Sequence, residues 1–234
     1  MTATDPTARP DEGQPHEGQA HEGQPHEGQR DGSFGQDHEL TSIDRLGVWL
    51  SRRSILRHVG SFSGRRVIDV GCGFEASFAR TVRDEVSSLT LVDLQLAPDL
   101  LADPGITTIE GPLPTSLDAV EDGSCDVTMC MSVVEHVWDD LALVEGLRRV
   151  TAPGGVAVIN VPSWLGKRAL ELSAFRLGLS PAAEMNDHKR YYDPKDLWPL
   201  LVRAGFVPQH ISCRRHKAGL NTIAVCTIPG GDTP

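Results

Sequence analysis

Between Val67 and Val161 the chain repeats one pattern, a short apolar run followed by a helix-length segment of mixed polarity. The runs are Val67-Ile68-Asp69-Val70, Leu89–Val92, Ile106–Ile109, Val127–Met131 and Val156–Val161. Their continuous apolar character predicts strands covered on both faces rather than strands with one wet face. Helices are predicted between them over Ser77–Val86 and Leu141–Val150, and ahead of them over Ile43–Val59. Such alternation implies parallel strands joined by right-handed crossovers in an open α/β sheet. Beyond Val161 the pattern changes. A helix over Pro194–Ala204 is followed by two strands, Phe206–Cys213 and Asn221–Ile228, with a turn near Gly219, which predicts an antiparallel hairpin closing one sheet edge.

Polarity divides the 234 residues in two. Residues 1–39 repeat the unit Pro15-His16-Glu17-Gly18-Gln19 with small changes and hold nine acids against two arginines, a net −7 of the chain's formal −10. With almost nothing to bury, this segment cannot offset the ordering cost of roughly 1–2 kcal/mol per residue, and a disordered acidic tail is expected. Metal capture by His16, His21 and His26 is the sharper alternative, although glycine-spaced imidazoles make a weak ligand set. Residues 40–234 are then close to neutral and form one folded domain. No stretch approaches the roughly 18 apolar residues of a membrane span. The five cysteines (Cys72, Cys125, Cys130, Cys213 and Cys226) contain no CxxC pair, so a reducing, cytoplasmic setting is expected. The acidic balance argues against a general nucleic-acid binder.

Chemistry concentrates at the predicted strand ends. The first strand runs into Gly71-Cys72-Gly73, where glycines let the backbone turn sharply and approach a ligand. A third glycine at the dinucleotide spacing is missing. Asp93 ends the second strand twenty residues after Gly73, where a carboxylate can accept both ribose hydroxyl protons of an adenosine.

Together with Leu91-Val92-Asp93, Cys125-Asp126-Val127, Val134-Glu135-His136-Val137, Leu147 to Gly155 and Ala204-Gly205-Phe206, the Val67 to Gly73 motif resembles the class I S-adenosylmethionine (SAM)-dependent methyltransferases over about residues 60–228. The resemblance implies a Rossmann-like seven-stranded sheet, mostly parallel with an antiparallel C-terminal strand, helices on both faces and a helical lid insertion. It implies SAM as cofactor, held by Asp69, Gly71, Cys72, Gly73, Asp93, Leu94, Gly111 and Met131. The adenine contact usual in the family has no side-chain counterpart in Glu110-Gly111-Pro112-Leu113 and falls to the backbone.

Ser132-Val133-Val134-Glu135-His136 follows the fourth strand, and His188 lies well downstream. In ubiquinone-pathway and small-RNA O-methyltransferases a similar layout, Glu-x-x-Glu-His with a distant His, binds a divalent cation; here Ser132 replaces the first Glu. Three roles stay open: Glu135, His136 and His188 hold a cation such as Mg²⁺, His136 or His188 serves as general base, or these residues cap and pack. Pro162 to Asp193 is far longer than the usual 2–6-residue connection and carries a helical apolar stripe, which fits a lid over the acceptor or a homodimer contact. Tyr191 and Tyr192, the chain's only tyrosines, follow His188 and either orient a hydroxyl or pack the base of this lid. The expected activity is methyl transfer to a hydroxyl of a small molecule, with a sugar, oligosaccharide or specialised metabolite as acceptor. N- or C-methylation of a small metabolite and a catalytically silent SAM-binding subunit are the alternatives.

Overall fold

Seven strands form one sheet in the order β3-β2-β1-β4-β5-β7-β6. The computed structural model describes residues 32–36, 49, 52–53, 55–172 and 189–231. The strands are β1 (Arg66–Val70), β2 (Ser88–Asp93), β3 (Ile106–Glu110), β4 (Cys125–Met131), β5 (Thr151–Pro162), β6 (Ile211–His216) and β7 (Asn221–Thr227). Neighbours from β3 through β5 pair in parallel, and β7 pairs antiparallel with both β5 and β6. The mostly parallel sheet with an antiparallel C-terminal strand is therefore present, and the hairpin is the device that inserts it. Strand order reverses between β1 and β4, and a crevice opens at such a switch point beyond the strands' carboxyl ends.

Alternation along the strands builds two core layers. In β1, Ile68 and Val70 face a layer completed by Leu143 and Leu147 of one helix and Leu197 and Leu201 of another. Val67 faces the opposite layer, with Ile55, Phe62 and Phe78. The helices are α1 (Ser77–Arg80), α2 (Pro98–Ala102), α3 (Asp140–Val150), α4 (Trp164–Leu172) and α5 (Pro194–Arg203), and residues 55–59 are helical ahead of β1.

Three boundaries differ from the sequence prediction, each for a local reason. The helix expected over Ser77–Val86 stops at Arg80, because Thr81 Oγ donates to the Phe78 carbonyl at 2.7 Å and the amides of Thr81, Val82 and Glu85 bond three residues back rather than four. Strand β5 begins at Thr151 rather than Val156, since an irregularity opposite Cys125 and Val127 lets the Pro153-Gly154-Gly155 stretch remain in the strand. Strand β6 begins at Ile211, after a 3₁₀ turn over Pro208–His210. Of the proposed lid, α4 and residues 189–193 are described, while 173–188, including His188, lie outside the described residues. So do most of the acidic tail, His16, His21 and His26 among it, and most of the helix expected over Ile43–Val59.

Candidate active site

A cavity of about 480 Å³ opens at the β1–β4 switch point. Gly71, Asp93, Leu94 and Gly111, four of the residues expected to hold a cofactor, line it. Each sits at or just past a strand's carboxyl end, where the parallel sheet delivers successive chain segments to the same edge. Gly71 has φ +70°, and a Cβ there would lie 2.2 Å from Val133 Cγ2, so neither the backbone conformation nor the space admits a side chain. Its amide donates to the Val92 carbonyl at 2.7 Å, and the Gly111 amide donates to the Asp93 carbonyl at 2.9 Å, tying the loops after β1 and β3 to β2.

The other four expected residues stand behind this wall. Gly73 donates its amide to Asp93 Oδ2 at 2.7 Å. Asp69 is 3% exposed and its pKa is raised to about 7, first by burial and then by the charge of Asp93. Cys72 and Met131 are half-buried and pack against the core layer that contains Phe78. Burial, then the charges of Asp69 and Asp93, push the Cys72 thiol well above its ordinary range, so it stays protonated and un-nucleophilic.

Beyond β4, Ser132 takes φ +60°, a left-handed conformation that costs a non-glycine residue on the order of 1 kcal/mol. The 3₁₀ turn Val134–His136 then separates the acid–histidine pair. Successive residues of such a turn project about 120° apart. His136 is half-buried and lines the cavity, whereas Glu135 is fully buried and absent from the lining. The buried Cys130 thiol is raised well above its ordinary range, first by burial and then by the nearby charges of Glu135 and Asp69. The backbone carbonyl of Glu135 accepts from the Lys189 amide at 2.8 Å. Among the described residues no group of three His, Cys, Asp or Glu side chains could hold a metal ion, and His188 lies outside them. The tyrosines pack: the Tyr192 hydroxyl donates to Asp140 Oδ2 at 2.7 Å, and Tyr191 lies with its ring centroid 5.6 Å from that of Trp164.

Three lining elements carried no sequence signal. Leu113, Pro114 and Thr115 close the cavity beside Gly111. Trp138 is 52% exposed at its rim, with the Lys189 ammonium 5.4 Å from its ring centroid. The third is Gly32-Ser33-Phe34, counted with the tail from its composition. Ser33 is 7% exposed; its hydroxyl lies against both Asp93 Oδ1 and the Gln95 carbonyl, the latter at 2.7 Å, with the ionised carboxylate the stronger acceptor for its one proton, and it accepts from the Gln95 amide at 2.7 Å.

Comparison with known proteins places this geometry in context. The family model described as a methyltransferase domain matches residues 45–211. A Mycolicibacterium smegmatis protein named as a probable S-adenosylmethionine-dependent methyltransferase is 28% identical over 184 residues; the match takes in 74% of this chain and 64% of that protein's length. A ubiquinone biosynthesis O-methyltransferase of Escherichia fergusonii is 27% identical over 204 residues, covering 82% of this chain and 77% of the relative. The fold is similar to a SAM-dependent methyltransferase crystal structure from Archaeoglobus fulgidus, with TM-score 0.57 at 16% identity, over 78% of this chain and 93% of that one.

Proposed function

This chain belongs to the methyltransferase-domain family of SAM-dependent enzymes, and we propose that it transfers the methyl group of SAM to a hydroxyl of a small molecule. The observation that carries this reading is that His136 lines the same cavity as Gly71, Asp93 and Gly111. The residues present fit SAM: Gly71 and Gly111 present bare backbone to the cavity, and the Asp93 carboxylate is matched to a ribose diol. When bound, SAM supplies an electrophilic methyl group on a sulfonium.

The chain's own contributions are positioning, exclusion of water and removal of a proton. Asp93 accepts from the ribose hydroxyls and fixes the cofactor's register along the cleft. Glycine backbone at residues 71 and 111 admits close approach. Leu113, Val133 and Val137 give the cavity an apolar wall that excludes water from the reacting centre. A hydroxyl gains nucleophilicity as its proton leaves, and an imidazole titrates near neutral pH, so a His136 ring nitrogen accepts that proton. Asp69, Cys72, Gly73 and Met131 support this wall from behind. Glu135 is fully buried and absent from the cavity lining that His136 joins, and no step is assigned to a cation.

Oxygen is favoured over nitrogen or carbon because a relative is named an O-methyltransferase, and a hydroxyl sheds its proton as the new bond forms, a role open to His136. A ring-bearing specialised metabolite is favoured over a saccharide, since Trp138 offers an exposed indole at the rim. The test is conversion of SAM to S-adenosylhomocysteine with matched panels of aryl hydroxyls, sugars and amines, for the wild type, His136→Ala and His188→Ala. His136→Ala is expected to lower kcat about 100-fold or more while retaining affinity for S-adenosylhomocysteine. Full activity of His136→Ala, or turnover confined to amines, would refute the hydroxyl mechanism.

A further inference from the structure

The five residues 32–36 lie across the carboxylate that the proposed reading assigns to the ribose. An ionised carboxylate offers about four acceptor sites, two on each oxygen. On Asp93, Oδ1 takes the Leu94 amide at 2.8 Å and the Ser33 hydroxyl, and Oδ2 takes the Gly73 amide at 2.7 Å. Three of the four are filled. A vicinal diol gripped through both oxygens needs one site on each, and only Oδ2 has one left. The Leu94 and Gly73 amides belong to the loops that shape the cleft, so Ser33 is the occupant that can leave.

Further contacts hold the segment in place. Phe34 O accepts from the Phe74 amide at 2.9 Å, and Gln36 Nε2 donates to Gln95 Oε1 at 2.6 Å. Gly73 lets this backbone come close: a Cβ at Gly73, where φ is +77°, would lie 3.2 Å from Phe34 O. Residues 32–36 thus cover both Gly73 and Asp93, two positions expected to serve the cofactor. The docked segment has few apolar anchors, with Phe34 itself 41% exposed, so polar contacts carry its attachment and release requires little apolar surface to be uncovered.

We propose that Ser33 and its neighbours form a strap that competes with SAM for Asp93, so that loading the cofactor undocks residues 32–36 from the cleft. The proposal rests on Asp93 being the ribose ligand. Apparent affinity then equals intrinsic affinity reduced by the fraction of molecules with the strap released. Any binder of the strap's released form raises cofactor affinity by the same linkage.

The test uses the full chain and S-adenosylhomocysteine as the probe. Calorimetric titration of Ser33→Ala is expected to give a Kd about ten- to 150-fold lower than wild type, the range for losing one hydrogen bond to a charged group from the competing state. In the wild type, saturating S-adenosylhomocysteine is expected to accelerate chymotrypsin cleavage after Phe34, read by mass spectrometry. An unchanged or weaker Kd for Ser33→Ala, or slower cleavage after Phe34, overturns the strap. An Asp93→Ala variant that binds the probe like wild type refutes the ribose role and the strap with it. Tight binding of the probe without methyl transfer to any hydroxyl refutes only the proposed reaction.

Discussion

Replacing Asp69 by Asn should make the protein more stable at alkaline pH and flatten its stability between about pH 4 and 7. Asp69, next to last in β1, is 3% exposed, and burial, reinforced by the nearby Asp93 charge, raises its pKa from the ordinary 3.8 to about 7. The sign follows from proton counting. Between these two values the folded chain holds a proton on Asp69 that the unfolded chain has released, so stability falls as pH rises through the interval and levels off above about 7. At 1.36 kcal/mol for each decade, the full step is about 4 kcal/mol, an upper figure because relaxation around a buried carboxylate reduces it. Asparagine keeps the shape and carries no charge. Urea unfolding of wild type and Asp69→Asn at half-unit steps from pH 5 to 8.5 measures the difference directly. The variant should gain on the order of 2–4 kcal/mol over wild type at pH 8 and about 1–1.5 kcal/mol at pH 5. Equal pH profiles, or an Asn variant less stable at pH 8, would show that Asp69 is charged and stabilised in the fold, contrary to the reasoning from burial.

Two further substitutions test other parts of the site. Gly71→Ala should cost about 2–4 kcal/mol in thermal or urea unfolding, since it adds left-handed strain to the overlap with Val133, and pairing it with Val133→Ala should recover only the overlap. Tyr192→Phe should cost about 1 kcal/mol by removing the hydroxyl from Asp140 while leaving kcat within about twofold, because that phenol is tied to Asp140 and does not line the cavity; a large loss of kcat would give it a chemical role.

Legibility followed the physics of each signal. The strands were readable because burial on both faces demands continuous apolar runs, and Val67 to Val70 or Val127 to Met131 leave no other assignment. Glycine and aspartate at strand ends were readable for a similar reason, since positive φ at Gly71 and a carboxylate at the end of β2 are scarce choices. Placement within a tight turn was not: Glu135 and His136 are adjacent in sequence, yet one is fully buried and the other lines the cavity, and nothing in residue type separates them. Ser33 was invisible for a different reason. A point contact made by one hydroxyl leaves no periodicity, and the surrounding composition lacks the apolar residues by which folded segments are recognised. The end of α1 turned on the hydroxyl of Thr81, a competition between side chain and backbone that helix periodicity does not register.

Strand β7 lies between β5 and β6, although it is the last of the three to be synthesised. A ribosome therefore releases β5 with an open hydrogen-bonding edge, and β6 with no neighbour at all, until Asn221–Thr227 has emerged to bridge them. Through that interval the apolar edge Val156–Val161 is a template for pairing with another nascent chain. Slowing translation just before residue 221 should raise the aggregated fraction, and an early stop after β6 should leave a sheet that chaperones hold rather than a smaller enzyme.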